Sequence, residues 1–296
     1  MKKVLLAGLA FLALASPLAF AKDLVLCTGA DGGFYDTWGK TLGTDVRSQS
    51  GGKVMVTFLN TKGSVDSAAK LKKGECDMAI LQADAVTSRP MPADLAVTDG
   101  HQEAIYWIHG EKGVKNLDDM ADSDNKNLGI AIVGGSGAEV TLRNFGNVDP
   151  KFKDLNIVPF TSWFRAAKAT SEGRIRKGGN DILIAGMVYV GRQGNISTEI
   201  TGEFKDTLSV GEIDVSSFKN VKDANGQPLY VSCPVGKTNG MKTSTKWADP
   251  DTYCVRAQIV YNNEAFANMD EDEASDIQTL LDKVIIQNVR QQMAAK

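Results

Sequence analysis

The sequence predicts an α/β fold of two lobes joined by two extended crossings. Three observations carry this prediction. Strand–helix alternation runs over residues 23–81, breaks, and restarts at residue 128. Two apolar extended segments, 104–109 and 255–261, stand outside both alternations. A long amphipathic stretch, 273–292, closes the chain with Ile277, Leu280, Leu281, Val284 and Ile285 on one helical face.

The elements follow in order. Residues 23–28 read as a buried strand, the Gly-Ala-Asp-Gly-Gly run 29–33 as a loop, and 34–49 as a helix. A Val-rich alternating strand occupies 53–59, and Ser64 caps a helix reaching residue 73. Residues 77–81 form a third strand. After a loop with Pro and Asp comes the first crossing, 104–109, then a short helix over 116–121. The second alternation places strands at 128–133, 155–159 and 181–185, with helices at 138–145 and 162–172. A further strand is expected over 208–213, and 215–246, rich in Gly, Asn, Lys and Ser, reads as irregular connection. The resulting division is lobe 1 over 22–103 plus 262–296, lobe 2 over 110–250, and hinge strands over 104–109 and 251–261.

The first residues point to export. Lys2 and Lys3 precede an uncharged run over 4–20, and Ala19-Phe20-Ala21 gives a small-x-small cleavage pattern, so 1–21 reads as a signal peptide with a periplasmic destination. Removing it takes the formal net charge of −3 two units further negative. The charges are interspersed, and no basic face of the kind nucleic acid requires is built. Four cysteines in an oxidising compartment favour disulfides. Cys233 with Cys254 is the preferred pair; closing that loop restricts the unfolded chain by roughly 3 kcal/mol. No Cys-x-x-Cys occurs.

Three strand-to-helix junctions, 29–35, 60–64 and 134–138, place small residues ahead of a helix start. Backbone N–H groups and the positive helix end face outward at such a junction and attract carboxylate or phosphate. In parallel α/β sheets these loops share the carboxyl edge, where ligands bind. The first junction offers Gly33, Phe34 and Tyr35; the second, Thr61 and Ser64; the third, Ser136 and Gly137. Tyr35 can pack its ring while its hydroxyl reaches a solute. Gln82 ends the third strand at the same edge, and Thr161, Ser162, Gly186 and Tyr189 occupy equivalent strand ends in the second half. The expected guest is a small anionic or zwitterionic solute.

Catalytic chemistry finds no foothold. Residues 134–138 nearly match Gly-x-Ser-x-Gly, but Ala138 replaces the last glycine, and both histidines, His101 and His109, precede Ser136, whereas the hydrolase order needs a later one. The acidic cluster Asp118, Asp119, Asp122 and Asp124 fails calcium-loop spacing because Lys126 interrupts it. The histidines have no zinc-spaced partner. The sequence therefore predicts a binding protein, not an enzyme, with no metal, no cofactor and no nucleic-acid partner, acting as a monomer.

These residues resemble one family. Cys-Thr-Gly-Ala-Asp-Gly-Gly-Phe-Tyr (27–35) is similar to the opening Gly-Thr-Gly-x-x-Gly-Gly-Thr-Tyr-Tyr of the TRAP-transporter-associated extracytoplasmic binding proteins, the TAXI family. Gly-Ser-Val-Asp-Ser (63–67), with Gly-Glu-Cys-Asp-Met-Ala-Ile-Leu-Gln-Ala-Asp (74–84), resembles the second block, and Gly-Ser-Gly-Ala-Glu-Val (135–140) the second-lobe loop. The resemblance implies a type II periplasmic-binding-protein fold. It implies delivery of an organic anion or an amino acid such as glutamate to integral-membrane subunits of a TRAP transporter. Tyr35, Ser64, Gln82 and Ser136 match the family's contact positions; Phe34 and Asp36 depart from its Thr and second Tyr. A module feeding a membrane sensor, or an ABC importer's binding protein, would present the same cleft. In this fold the first and third strands are parallel neighbours. An offset of about four residues, roughly 13 Å along a strand, then separates Cys27 from Cys76, against the limit of about 7 Å for a disulfide. That pair is expected not to form.

Overall fold

The computed structural model describes residues 22–244 and 250–294; the expected signal peptide lies outside the described residues. The chain runs β1 (Lys22–Gly29), α1 (Phe34–Gln49), β2 (Val54–Asn60), α2 (Ser64–Lys72), β3 (Met78–Gln82), α3 (Ala83–Ser88) and β4 (Leu95–Gly110). It continues through β5 (Gly129–Val133), α4 (Gly137–Val148), β6 (Asn156–Phe160), α5 (Trp163–Glu172), β7 (Arg174–Lys177), β8 (Asn180–Arg192) and α6 (Thr198–Phe204). It ends with β9 (Leu208–Gly211), β10 (Tyr230–Pro234), β11 (Lys242–Thr243), β12 (Asp251–Asn262) and α7 (Glu271–Ala294).

The main strand order is β2-β1-β3-β12-β4-β8-β5-β6. β2, β1 and β3 are parallel, as are β8, β5 and β6, and each trio is built by helical crossovers. Between them lie the antiparallel β12 and β4. These long strands change neighbours along their length. Ala257–Tyr261 of β12 pairs with β3, whereas 251–255 pairs with β10. In β4, residues 95–104 pair with β12, and 103–108 pair with β8.

Each trio packs its own core. In the first, Trp38, Leu42 and Val46 of α1 meet Ile277, Leu281, Val284 and Ile285 of α7 against β1 and β3. Full burial of each such side chain stabilises by about 1.5–3 kcal/mol. Two polar side chains inside are paired: Trp38 Nε1 donates to Asn288 Oδ1 at 2.6 Å, and Asn288 Nδ2 donates to Asp45 at 2.7 Å. In the second, Phe145, Phe218 and Tyr230 pack with Trp107, Ile130 and Val188. Phe145 and Phe218 stack at 3.7 Å between centroids.

Several expectations change. The first crossing is the second part of a strand that already begins at Leu95, because 95–99 finds a partner in β12. The strand expected over 181–185 extends to Arg192, and a hairpin partner, β7, precedes it. α3 and α6 are additions to the expected elements; each is a short helix without an amphipathic period to announce it. The stretch expected to be irregular contains β10, which pairs with the edge of β12. Cys233 and Cys254 are bonded across these two strands. Contrary to expectation, Cys27 and Cys76 are bonded too, with α-carbons 5.9 Å apart. β3 starts at Met78, so Cys76 lies in the turn leaving α2, and extrapolation along a straight strand does not apply to it.

Candidate functional site

A cavity of about 400 Å³ opens where the strand ends of the two trios face each other. Gly33, Phe34, Tyr35, Ser64 and Gln82 line it from the first trio, and Ser136, Gly137 and Tyr189 from the second. Four sequence candidates lie off it. Thr61 is buried and shares a 2.8 Å hydrogen bond with Ser67. Ser162 caps α5, accepting from the Arg165 N–H, with Thr161 exposed beside it. Gly186 sits inside β8 under the Trp107 ring.

The three junctions do converge, but their amides are already engaged. Each helix carries an acid in its first turn that accepts from the loop before it. Gly32 N–H donates to Asp36 at 3.0 Å, Lys62 N–H to Asp66 at 3.0 Å, and Gly135 N–H to Glu139 at 2.8 Å. The start of α2 is met from the other trio: Val65 and Asp66 N–H donate to the Gly135 carbonyl at 3.1 and 3.3 Å. The expectation that these amides await an anion is corrected accordingly; the chain's own carboxylates and one carbonyl take several of them. Close approach requires glycine at the meeting point. Gly63 has φ +128°, and a Cβ there would lie 2.8 Å from the Ser136 Cα. A Cβ on Gly137 would overlap the Gln82 amide.

The cavity's inner wall carries a residue absent from the sequence candidates. Glu103, on β4, is 4 % exposed and lines the cavity. Its Oε2 accepts from the Tyr35 hydroxyl at 2.6 Å and from Gln82 Nε2 at 3.2 Å. Burial, and then the Glu103 charge beside it, push the Tyr35 hydroxyl well above its ordinary pKa, so it stays a neutral donor. His101 packs edge-on against Phe34 and Trp38, with its Nε2 3.5 Å from Glu103 Oε1. Opposite Glu103 in the β4–β8 register stands Arg192, whose guanidinium lies 5.2 Å from the Phe34 ring centroid. Trp163, Lys62, Asn195 and Glu199 complete the outer wall. Trp163 also meets the Tyr189 ring edge-on at 4.9 Å. Two buried polar atoms at the cavity lack a hydrogen-bond partner: Ser136 Oγ and Gln82 Oε1.

Glu103 and Arg192 escape a reading built on glycine junctions, because neither lies at one. The signal available in the sequence is a lone carboxylate directly ahead of the apolar run 104–108.

Behind the cavity the trios are joined by a second buried acid. Asp84, fully buried at the start of α3, accepts from Thr141 Oγ1 of α4 at 2.5 Å and from the Tyr230 hydroxyl of β10 at 3.0 Å. Burial raises its pKa to about 6, against the lowering effect of those donors. Among the described residues, no cluster of three or more His, Cys, Asp or Glu is placed to hold a metal, and no helix is long and apolar enough to cross a membrane.

Residues 26–181 match the model of the NMT1-like family. Among solved structures, the chain is similar to a TRAP periplasmic solute-binding protein from Pseudoalteromonas atlantica with bound sodium and pyruvate. The two share 12 % identity over 90 % of this chain and 73 % of that one, with a TM-score of 0.51. It is also similar to the CcmR regulatory domain of Synechocystis in complex with 2-PG, at 13 % identity over 90 % of this chain and 97 % of that one, with a TM-score of 0.46. No curated protein matches. The fold is the type II periplasmic-binding fold.

Proposed function

This chain belongs to the NMT1-like family, and on that premise we propose that it captures a small organic solute outside the cytoplasm and delivers it to a TRAP-type membrane transporter, as a TAXI-type binding protein. The observation that carries this reading is a cavity walled by both trios, with Tyr35, Gln82 and Glu103 on one side and Ser136, Tyr189 and Arg192 on the other. A guest in that position touches both halves, which is the contact pattern that couples binding to closure of a hinged protein. The lobes are 22–103 plus 262–296 and 110–250, with 104–109 and 251–261 as hinge strands. The change of neighbours along β4 and β12 supports this division. The two disulfides fit a protein that works beyond the reducing cytoplasm.

A thermal-shift panel of amino acids, monocarboxylates, dicarboxylates, sulfonates and phosphonates tests the proposal. A true guest raises Tm in proportion to the logarithm of its concentration above Kd. Silence across the whole panel counts against a solute-binding role. With a hit in hand, Ser136→Ala weakens binding while leaving the unliganded melt in place, and Tyr35→Phe weakens binding together with a loss of about 1 kcal/mol of unliganded stability from its hydrogen bond to Glu103. Unchanged affinity in both variants removes these residues from the site.

A further inference from the structure

We propose that the solute carries a protonated amine as well as an anionic group, and that Glu103 holds the amine while Arg192 holds the anion. This rests on the binding-protein reading above and narrows its substrate class to zwitterions of the amino-acid type.

Glu103 is a carboxylate kept from bulk water on the wall of a solute-sized cavity. Its two hydrogen-bond donors, Tyr35 and Gln82, are neutral and share one oxygen, Oε2. Among the described residues no Lys or Arg nitrogen lies within 4.0 Å of it. The His101 ring nitrogen is 3.5 Å from Oε1, and neither nitrogen of that ring has a hydrogen-bond partner. A carboxylate withdrawn from water without a cation costs several kcal/mol. Site carboxylates of this kind are completed by what binds. An ammonium group in the cavity beside Glu103 supplies the positive charge that its neutral donors Tyr35 and Gln82 do not.

Arg192 stands ready for the other end. It is the cross-strand partner of Glu103, so the two backbones are about 5 Å apart. Its guanidinium rests on the Phe34 ring instead of pairing with Glu103. One small molecule can therefore touch both. The first-turn acids Asp36, Asp66 and Glu139 point the same way: they occupy loop amides that an anion would otherwise use. That leaves a guanidinium as the stronger anion partner.

The test is a set of matched pairs measured by isothermal titration calorimetry on the intact mature chain. Each L-amino acid is compared with the 2-hydroxy acid that differs only in replacing the amine by a hydroxyl. At least one amino acid is expected to bind about tenfold or more tightly than its hydroxy partner, because a buried charge pair is lost in the exchange. Glu103→Gln should erase most of that preference by weakening the amino acid alone, whereas Arg192→Gln should weaken both members of the pair. Hydroxy acids or other amine-free anions binding as well as amino acids to the wild-type protein overturn the inference and leave the binding-protein reading standing. No binding by any member of either series, together with silence in the thermal-shift panel, overturns both. The wild-type comparison decides the matter even if Glu103→Gln fails to fold.

Discussion

Two buried carboxylates near the boundary between the trios show how similar chemistry can serve two purposes. Asp84 and Glu103 each accept a hydrogen bond from a tyrosine hydroxyl, Tyr230 and Tyr35 respectively. The donors to Asp84, Thr141 and Tyr230, come from across the boundary, so that acid fastens protein to protein. The donors to Glu103, Tyr35 and Gln82, come from its own side, and all three residues line the cavity. A buried acid satisfied from across a boundary acts as a latch. One satisfied only from its own side has capacity left for a guest.

The largest expected effect breaks the boundary that both acids share. Gly63→Ala places a Cβ against the Ser136 backbone at a φ that L-residues rarely adopt. Overpacking and backbone strain together cost about 2–4 kcal/mol. Affinity for every solute should fall by a similar factor in calorimetry; a loss confined to one solute would contradict the shared-boundary account.

The next separates the acids by pH. The folded Asp84 has a pKa of about 6 against an ordinary 3.8, so folding takes up a proton between those values. Its contribution is therefore most favourable below that window and is lost as pH rises through about 6, by about 2–3 kcal/mol in all. Urea melts of the wild type and Asp84→Asn at pH 4 and pH 7 should show the wild type losing ground to the variant at the higher pH. An equal difference at both pH values would disprove the shift. Smaller again is the change on the cavity side: Glu103→Gln should cost the amine-bearing solute about tenfold in Kd, whereas Asp84→Asn alters amine-bearing and amine-free solutes alike.

Much of the fold is legible in the sequence. The bounds of α1 follow from the glycines that precede Phe34 and the Gly-Gly turn after Gln49. The three junctions converge because parallel strands put every strand-to-helix loop at one edge. Which partner each group meets is harder to read. The occupants of the loop amides, Asp36, Asp66 and Glu139, are local, and each stands four residues after the amide it accepts from, a spacing that the sequence does display. Glu103 and Arg192 depend on β4 lying beside β8, a non-consecutive pairing that no local pattern announces. Thr161, Ser162 and Gly186 follow only from an analogy between the halves. Gly186 misses the cavity because β8 runs on to Arg192 and it is Tyr189, further along, that reaches the wall; Thr161 and Ser162 follow β6, the outermost strand of the main order.

The mildest substitution sharpens the comparison most, because the two tyrosines are twins in chemistry and differ in setting. Tyr230→Phe removes the hydroxyl that donates to Asp84 and accepts from Asn144 Nδ2, while the ring keeps its packing against Phe145. The net loss should be about 1 kcal/mol, the usual worth of such a hydrogen bond. It should appear as a lower Tm with the ratio of amino-acid to hydroxy-acid affinity unchanged, since no part of Tyr230 lines the cavity. Tyr35→Phe removes an equivalent donor from Glu103, and there the ratio itself should move, because the group it supports faces the guest. If both variants shift the ratio equally, the two acids are not functionally distinct, and the division into latch and reader fails with them.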